Sequence, residues 1–78
     1  MLISNLISYA MHITNTPARK CAAALKLSPQ NFGQRLKRDT FNLKDLETVM
    51  SECGLAYSIE IYKDDVEICD YSFRPEED

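Results

Sequence analysis

The stretch that decides the fold runs from residue 16 to residue 50 and reads TPARKCAAALKLSPQNFGQRLKRDTFNLKDLETVM. It contains two helix-prone segments separated by Lys26-Leu27-Ser28. Each segment opens with a capping hydroxyl followed by a proline, Thr16-Pro17 and Ser28-Pro29, and proline suits the first position of a helix. The second segment should run from Pro29 to about Lys37. These signals predict two short helices joined by a tight turn.

A further helix follows, and a helix also precedes the stretch. Asn42 is a favourable cap with Asp45 at the third helical position, and Gly54 is a typical helix end. Apolar residues recur at three- and four-residue spacing over residues 2–13, which predicts an amphipathic first helix. The expected inward side chains of the later segments are Cys21, Ala22, Leu25, Leu27, Phe32, Leu36, Phe41, Leu43, Leu46, Val49 and Met50.

After Gly54 the apolar period changes from helical to two, which is typical of strands. Residues 57–62 and 66–71, the latter extending towards Phe73, predict a β-hairpin with Lys63-Asp64-Asp65 as its turn. One face of this hairpin should cover the helical core. The predicted fold class is therefore mostly α with a C-terminal β-hairpin. A single domain spans residues 1–78, with a helical bundle over 1–55, a hairpin over 56–73 and a frayed acidic tail over 74–78.

Length and composition exclude several classes of protein. The chain has 78 residues, enough for one small core. It has no apolar run of the ~20 residues that span a membrane, and its N-terminus has no basic segment typical of a signal peptide. We therefore expect a cytoplasmic location. Cys21, Cys53 and Cys69 form no CxxC pair, so we expect buried, reduced thiols, without a metal or another cofactor. The lone His12 argues against an enzyme, and no catalytic residue is expected.

Charge is divided sharply along the chain, although the net charge is only −3. Residues 19–44 carry +6, and residues 45–78 carry −9. The basic segment favours contact with phosphates, and the acidic half then faces away from them. The alternative is that these charges only make the surface soluble.

The residues between 2 and 55 resemble the lambda-repressor-like, Cro/CI or XRE-type helix-turn-helix DNA-binding family. Ala22, Ser28 and Phe32 match the family's register of small residue, polar cap and apolar residue. The leucine-rich segment Leu43–Gly54 matches its closing helix. The family often has Gly where this chain has Lys26. The resemblance implies a four- to five-helix domain whose recognition helix, residues 29–37, enters the major groove of double-stranded DNA.

The resemblance also implies a set of contacts to DNA. Gln and Asn suit adenine and Arg suits guanine, so residues of the recognition helix become candidate base readers. The expected base contacts are Gln30, Asn31, Gln34 and Arg35. The expected phosphate contacts are Thr16, Arg19, Lys20, Ser28, Lys37, Arg38 and Lys44. The alternative for each residue is a solvated helix face.

A two-stranded hairpin is marginal alone, so it must pack on the helices, pair with a second copy, or both. Edge-to-edge pairing across a two-fold axis would give a homodimer able to bind a palindromic operator. The expected dimer interface consists of Tyr57, Ile59, Ile61, Tyr62, Tyr71 and Phe73. The alternative is a hairpin that only completes the monomer core.

Two functions follow from these patterns. The first is a small sequence-specific transcriptional repressor of bacterial, phage or mobile-element origin. The second is a protein-binding inhibitor with an acidic surface that imitates nucleic acid, as in an anti-CRISPR protein, or an antitoxin, with the protein partner on the acidic C-terminal half. Fold alone does not decide between them.

Overall fold

The computed structural model describes residues 3–75, and it shows helices followed by an antiparallel hairpin. In chain order the elements are α1 (Ile3–Thr14), α2 (Ala18–Ala24), α3 (Pro29–Arg38), α4 (Leu43–Cys53), β1 (Tyr57–Lys63) and β2 (Val66–Phe73). This confirms a mostly helical chain with a C-terminal hairpin. The expected helical residue 2 and the tail residues 76–78 lie outside the described part of the chain.

Two of the three predicted helix caps are confirmed. At the start of α3, the Ser28 Oγ accepts a hydrogen bond from the Asn31 amide at 3.1 Å. At the start of α4, the Asn42 Oδ1 accepts from the Asp45 amide at 2.9 Å, and the Asp45 Oδ2 accepts from the Asn42 amide at 3.1 Å. This reciprocal pair is a capping box, which satisfies two amides that the helix itself leaves without partners.

The predicted cap of α2 was wrong. Pro17, with extended backbone, is the residue that precedes the helix, and no side chain caps it. The hydroxyl of Thr16 instead lies 2.7 Å from the hydroxyl of Thr14. Thr14 itself donates to the Ala10 carbonyl at 2.7 Å. The Thr16 side chain is therefore engaged by the end of α1 and not by the start of α2.

All four described helices end in the same way. A residue with positive φ lies just beyond each helix: Asn15, Asp39 and Gly54 directly follow α1, α3 and α4, whereas Lys26 follows α2 after Leu25, whose φ is −87°. The next amide then bonds the carbonyl five residues back: Thr16 to Met11, Leu27 to Ala22, Thr40 to Arg35, and Leu55 to Met50. These bonds satisfy carbonyls that the helix leaves free. At Lys26 the left-handed backbone costs about 1–2 kcal/mol, because only glycine adopts it without crowding.

The core lies between the four helices and includes nearly all the predicted inward residues. Phe32 is 1% exposed, and its ring lies 5.7 Å from that of Phe41. The fully or nearly buried apolar set is Ile7, Ala10, Cys21, Ala22, Phe32, Phe41, Leu46, Val49 and Met50. Leu43 was wrongly predicted to be buried. It is 45% exposed, because it is the first residue of α4 and lies beyond the edge of the core.

The hairpin has a tight two-residue turn and one irregularity. Asp64 and Asp65 form the turn with φ of 52° and 68°, and positive φ at both positions suits the twist of paired strands. Lys63, predicted to be in the turn, is instead the last residue of β1. The two strands pair in one register from Tyr57 opposite Phe73 to Ile61 opposite Cys69. The register then shifts by one residue, so that Tyr62 lies opposite Glu67. Ile68 is therefore the extra residue of a β-bulge.

The expectation that one hairpin face covers the helical core was wrong. Only the base of the hairpin, Tyr57 and Phe73, packs against the core. Their rings lie 5.4 Å apart. The other large apolar side chains of the strands are at least 36% exposed. The strands extend away from the bundle after their first pair of residues, so most of the hairpin has no helix beneath it.

The three cysteines occupy three different environments. Cys21 is buried, Cys53 is half-buried and Cys69 is exposed, so the expectation of buried thiols holds fully only for Cys21. Burial, together with the neighbouring Cys53, raises the pKa of the Cys21 thiol to about 12. Cys69 is exposed because β2 leaves the bundle.

No helix within residues 3–75 has the length and apolar character needed to cross a membrane.

Replacing Gly33 with alanine should raise stability. A Cβ at Gly33 would meet nothing within 4 Å, and alanine in a helix interior is favoured over glycine by about 1 kcal/mol. We expect Gly33→Ala to increase the free energy of unfolding by up to about that amount in urea denaturation. Gly54→Ala is the matched control, which should destabilise because Gly54 has a φ of 73°. A destabilised Gly33→Ala protein would contradict the open space seen at this position.

Candidate nucleic-acid interface

The burial of Phe32 and Leu36 decides which side of α3 faces outwards. Phe32 is buried and Leu36 is half-buried against the core. Because successive helical residues are about 100° apart, Gln34 points almost directly away from these two. Asn31 and Arg35 flank Gln34 on one side, and both are exposed. The outward face of α3 is therefore made of amide and guanidinium side chains.

An open depression of about 500 Å³ lies on this face. Its lining residues are Leu27, Asn31, Gln34, Arg35, Arg38 and Thr40. Three of the four predicted base contacts, Asn31, Gln34 and Arg35, therefore share one concave surface. The fourth, Gln30, is exposed on the opposite flank of the helix together with Lys37.

Leu27 and Thr40 line the depression but were not predicted as site residues. Leu27 comes from the turn before α3 and packs partly against the core. Thr40 follows the left-handed Asp39, which turns the chain back beside the helix. Asp39 at a helix end was a signal for such a turn, since Asp tolerates this conformation better than most residues.

All seven cations of the basic segment are exposed. Lys26 lies in the turn between α2 and α3, and the other six fall in two kinds of position. Arg35, Lys37 and Arg38 occupy the last turn of α3, where the helix dipole favours positive charge. Arg19 and Lys20 lie in the first turn of α2, and Lys44 lies in the first turn of α4. A cation at the start of a helix is disfavoured by about 0.3–1 kcal/mol. These three residues therefore do not serve helix stability.

The two predicted hydroxyl contacts are placed differently. Ser28 is exposed at the start of α3, where its Oγ accepts from the Asn31 amide and retains its own proton to donate. Thr16 is half-buried, and its hydroxyl lies against that of Thr14. Ser28 is thus available at the surface beside the depression, whereas Thr16 is partly withdrawn.

Asp39, the only acid among residues 19–44, is engaged by a hydrogen bond from α1. Its Oδ1 accepts from the Ser4 amide at 2.9 Å, across 35 residues of sequence. Ser4 is in the first turn of α1, so the carboxylate acts as a distant cap of that helix. The bond from the Ser4 amide lowers the pKa of Asp39 below its ordinary value. The contact also ties the end of α3 to the start of α1.

The comparisons with known proteins add no functional assignment. No family model, curated protein or solved structure matches the chain. Within residues 3–75, no group of three His, Cys, Asp or Glu side chains is placed to hold a metal ion. The function is therefore argued from the arrangement of the residues themselves.

Asp39 should contribute a pH-dependent part of stability. Since its pKa is lower in the folded than in the unfolded chain, its contribution is present above the unfolded value near 3.8 and is lost as the pH falls through the folded value. We expect Asp39→Asn to lower the thermal unfolding midpoint at neutral pH and to differ less from the parent in acid. Asp70→Asn, which removes an exposed hairpin carboxylate, is the control. An equal deficit of Asp39→Asn at every pH would contradict the charged cap.

Proposed function

We propose that this chain is a small sequence-specific DNA-binding protein, a transcriptional repressor of bacterial, phage or mobile-element origin. In this proposal α2 and α3 form a helix-turn-helix, and α3 reads bases in the major groove. The working species is a homodimer on a palindromic operator. The observation that carries the proposal is the shared concave surface formed by Asn31, Gln34, Arg35 and Arg38 on the outward face of α3.

The connection between α2 and α3 supports this proposal. Four residues separate the helices, and Lys26 has a φ of 60° at the place where the resembled family often has Gly. The Leu27 amide then bonds the Ala22 carbonyl at 2.8 Å, which makes the turn tight. A left-handed residue at this point allows α3 to start immediately at its Ser28 cap. Lys26 therefore has the positive φ that a glycine adopts without crowding.

The cations placed against the helix dipoles provide a second line of support. Arg19 and Lys20 lie in the first turn of α2 and Lys44 lies in the first turn of α4. Acidic side chains, and not basic ones, stabilise a helix at these positions. A phosphate at these positions would be attracted by both the side chain and the helix end. Local rules of stability are most often broken where a residue serves binding.

The net charge of −3 does not oppose DNA binding, because the two signs are separated in the structure. The cations of the basic segment lie on α2, the turn after it, α3 and the start of α4, whereas five acids against one lysine lie on residues 57–73. The Debye length in physiological salt is about 8 Å, so acids more than that distance from the DNA are largely screened.

The test is selection from random duplex DNA at physiological salt, followed by affinity measurements on the recovered sequence. We expect a palindromic motif. Gln34→Ala combined with Arg35→Ala should abolish its preference over random DNA, because the loss of each base contact costs about 1–3 kcal/mol. Lys37→Ala should weaken binding to all sequences alike and reduce the salt dependence by about one phosphate contact.

Two controls separate these effects. Arg35→Lys keeps the positive charge but cannot make the planar bidentate contact of a guanidinium with guanine. It should therefore lose sequence specificity more than overall DNA affinity. Lys63→Ala removes one cation from the hairpin and should leave operator affinity unchanged. A folded protein that enriches no sequence would refute the repressor proposal.

The alternative function, a protein-binding inhibitor or antitoxin with an acidic surface, is supported by one observation. Glu60, Glu67 and Asp70 are all exposed on the hairpin, which has little contact with the bundle. Neutralising Glu60, Asp64, Asp65 and Glu67 together as amides should then abolish inhibition of the partner, while Gln34→Ala with Arg35→Ala retains it. The reverse pattern would support the DNA-binding function.

A further inference from the structure

Two of the three cysteines come together where α2 packs against α4. Cys21 lies in the middle of α2, and its side chain is fully buried in the core. Cys53 is the last residue of α4, is half-buried, and packs against the same core. The two helices are in direct contact with each other. A buried thiol and a partly exposed thiol, far apart in sequence, therefore meet at one helix interface.

The side chains of Cys21 and Cys53 are immediate neighbours. The Cys53 side chain is within hydrogen-bonding reach of the Cys21 thiol. A thiol is only a weak donor and acceptor, so this interaction places the two sulfur atoms next to each other. Burial first, and then this neighbour, raise the pKa of the Cys21 thiol to about 12. Both groups are free thiols in the structure.

The position of Cys53 at the end of α4 favours a covalent bond to Cys21. A disulfide needs its two Cα atoms about 4.4–6.8 Å apart and a restricted dihedral angle. A residue inside a helix meets such a requirement only if the helix moves, whereas a terminal residue adjusts within a last turn that frays readily. Gly54, with a φ of 73°, ends the helix directly after Cys53. Cys53 therefore has the local freedom that the bond requires.

We propose that Cys21 and Cys53 form a reversible disulfide under oxidising conditions, which ties α2 to the end of α4. The oxidant is a small-molecule disulfide such as oxidised glutathione. Neither cysteine lies on α3, so the bond does not involve the outward face of that helix. The inference is independent of the proposed function, since the disulfide can form in a chain that binds no DNA.

The bond forms by two successive thiol–disulfide exchanges. The Cys53 thiolate attacks one sulfur of oxidised glutathione, whose S–S bond breaks and releases one glutathione thiolate. The Cys21 thiolate then attacks the Cys53 sulfur of this mixed disulfide, and the second glutathione thiolate leaves. Two cysteines are oxidised, one glutathione disulfide is reduced to two thiols, and the two cysteine protons pass through solvent to the leaving thiolates.

Exposure assigns the two roles in this sequence. Cys53 is the half-buried member of the pair, so it is the thiol that a reagent in solvent reaches first. Cys21 has no exposed surface and is shielded from direct attack. Its only access to an oxidised sulfur is through the neighbouring Cys53. Cys21 is therefore the resolving thiol, and the second exchange should be the slower step.

The disulfide should stabilise the helical bundle. The loop that it closes, residues 21–53, contains all of α3 and nearly all of α4. A cross-link that closes a loop of about 30 residues restricts the unfolded chain far more than the folded one. In a domain of this size the expected rise of the thermal unfolding midpoint is about 10 °C or more.

The test equilibrates the full chain, carrying Cys69→Ser, in glutathione buffers of increasing oxidation. Cys69 is replaced because its exposed thiol would react independently of the pair. Free thiols are counted by mass spectrometry after acid quenching and alkylation in denaturant. We expect both thiols to disappear together, with a loss of two hydrogen atoms in mass and the rise in thermal midpoint. Dithiothreitol should reverse both changes.

Two matched variants of the Cys69→Ser chain separate the roles of the thiols. Cys53→Ser should keep its Cys21 thiol free and its thermal midpoint unchanged in oxidised buffer. Cys21→Ala, which keeps an apolar side chain in the core, should stop at the first exchange and retain one glutathione on Cys53. Circular dichroism checks that each variant is folded.

The remaining outcomes would overturn the inference. A folded parent that keeps both thiols free in oxidised glutathione would show that the pair does not bond. A mixed disulfide that persists in the parent as it does in Cys21→Ala would show that Cys21 cannot reach Cys53. Covalent dimers of the Cys69→Ser chain would place the bond between copies. Loss of both thiols without a rise in the thermal midpoint would show that the bond does not tie the helices as they pack in the structure.

Discussion

The burial of Phe32 against Phe41 is the contact on which the candidate interface depends. A helix that carries one large aromatic side chain into a small core cannot rotate about its axis without opening a cavity. Because Phe32 is almost fully buried, Gln34 and its neighbours must face outwards. The Ser28 Oγ accepts from the Asn31 amide and caps the start of α3. The left-handed Asp39 ends the helix, and its carboxylate accepts from the Ser4 amide, which holds that end against α1. The polar face of α3 is thus fixed by contacts at both ends of the helix and by the burial of Phe32 on its opposite side.

Local signals predicted the elements well, and contacts distant in sequence account for the errors. The caps at Ser28 and Asn42 and the end at Gly54 depend on a few neighbouring residues, which a sequence displays directly. The role of Asp39 as a cap for α1 depends on a partner 35 residues away, and no local pattern indicates it. The exposure of Leu43 and of the hairpin depends on how far the core extends, which alternation alone does not determine.

The residues of the candidate site were also predicted where local spacing decides their position and missed where a turn decides it. Helical spacing sufficed to place Asn31, Gln34 and Arg35 on one exposed surface, since a helix repeats regularly. It could not show that Leu27 and Thr40 complete the depression, because both come from turns whose direction is decided by left-handed residues at Lys26 and Asp39. Whether this surface reads DNA stays a prediction.

The weak attachment of the hairpin has a consequence for the order in which the chain loses structure. Its two strands pair with each other, pack on the bundle through Tyr57 and Phe73, and are joined to α4 by a hydrogen bond from the Tyr71 hydroxyl to the Glu47 carboxylate. A two-stranded ribbon has little stability of its own, so its outer amides open at a lower free energy than those of α1 and α4, which pack together. The chain therefore behaves as two cooperative units of unequal strength. Amide hydrogens near the Asp64-Asp65 turn exchange with solvent first, while the helical bundle is still closed.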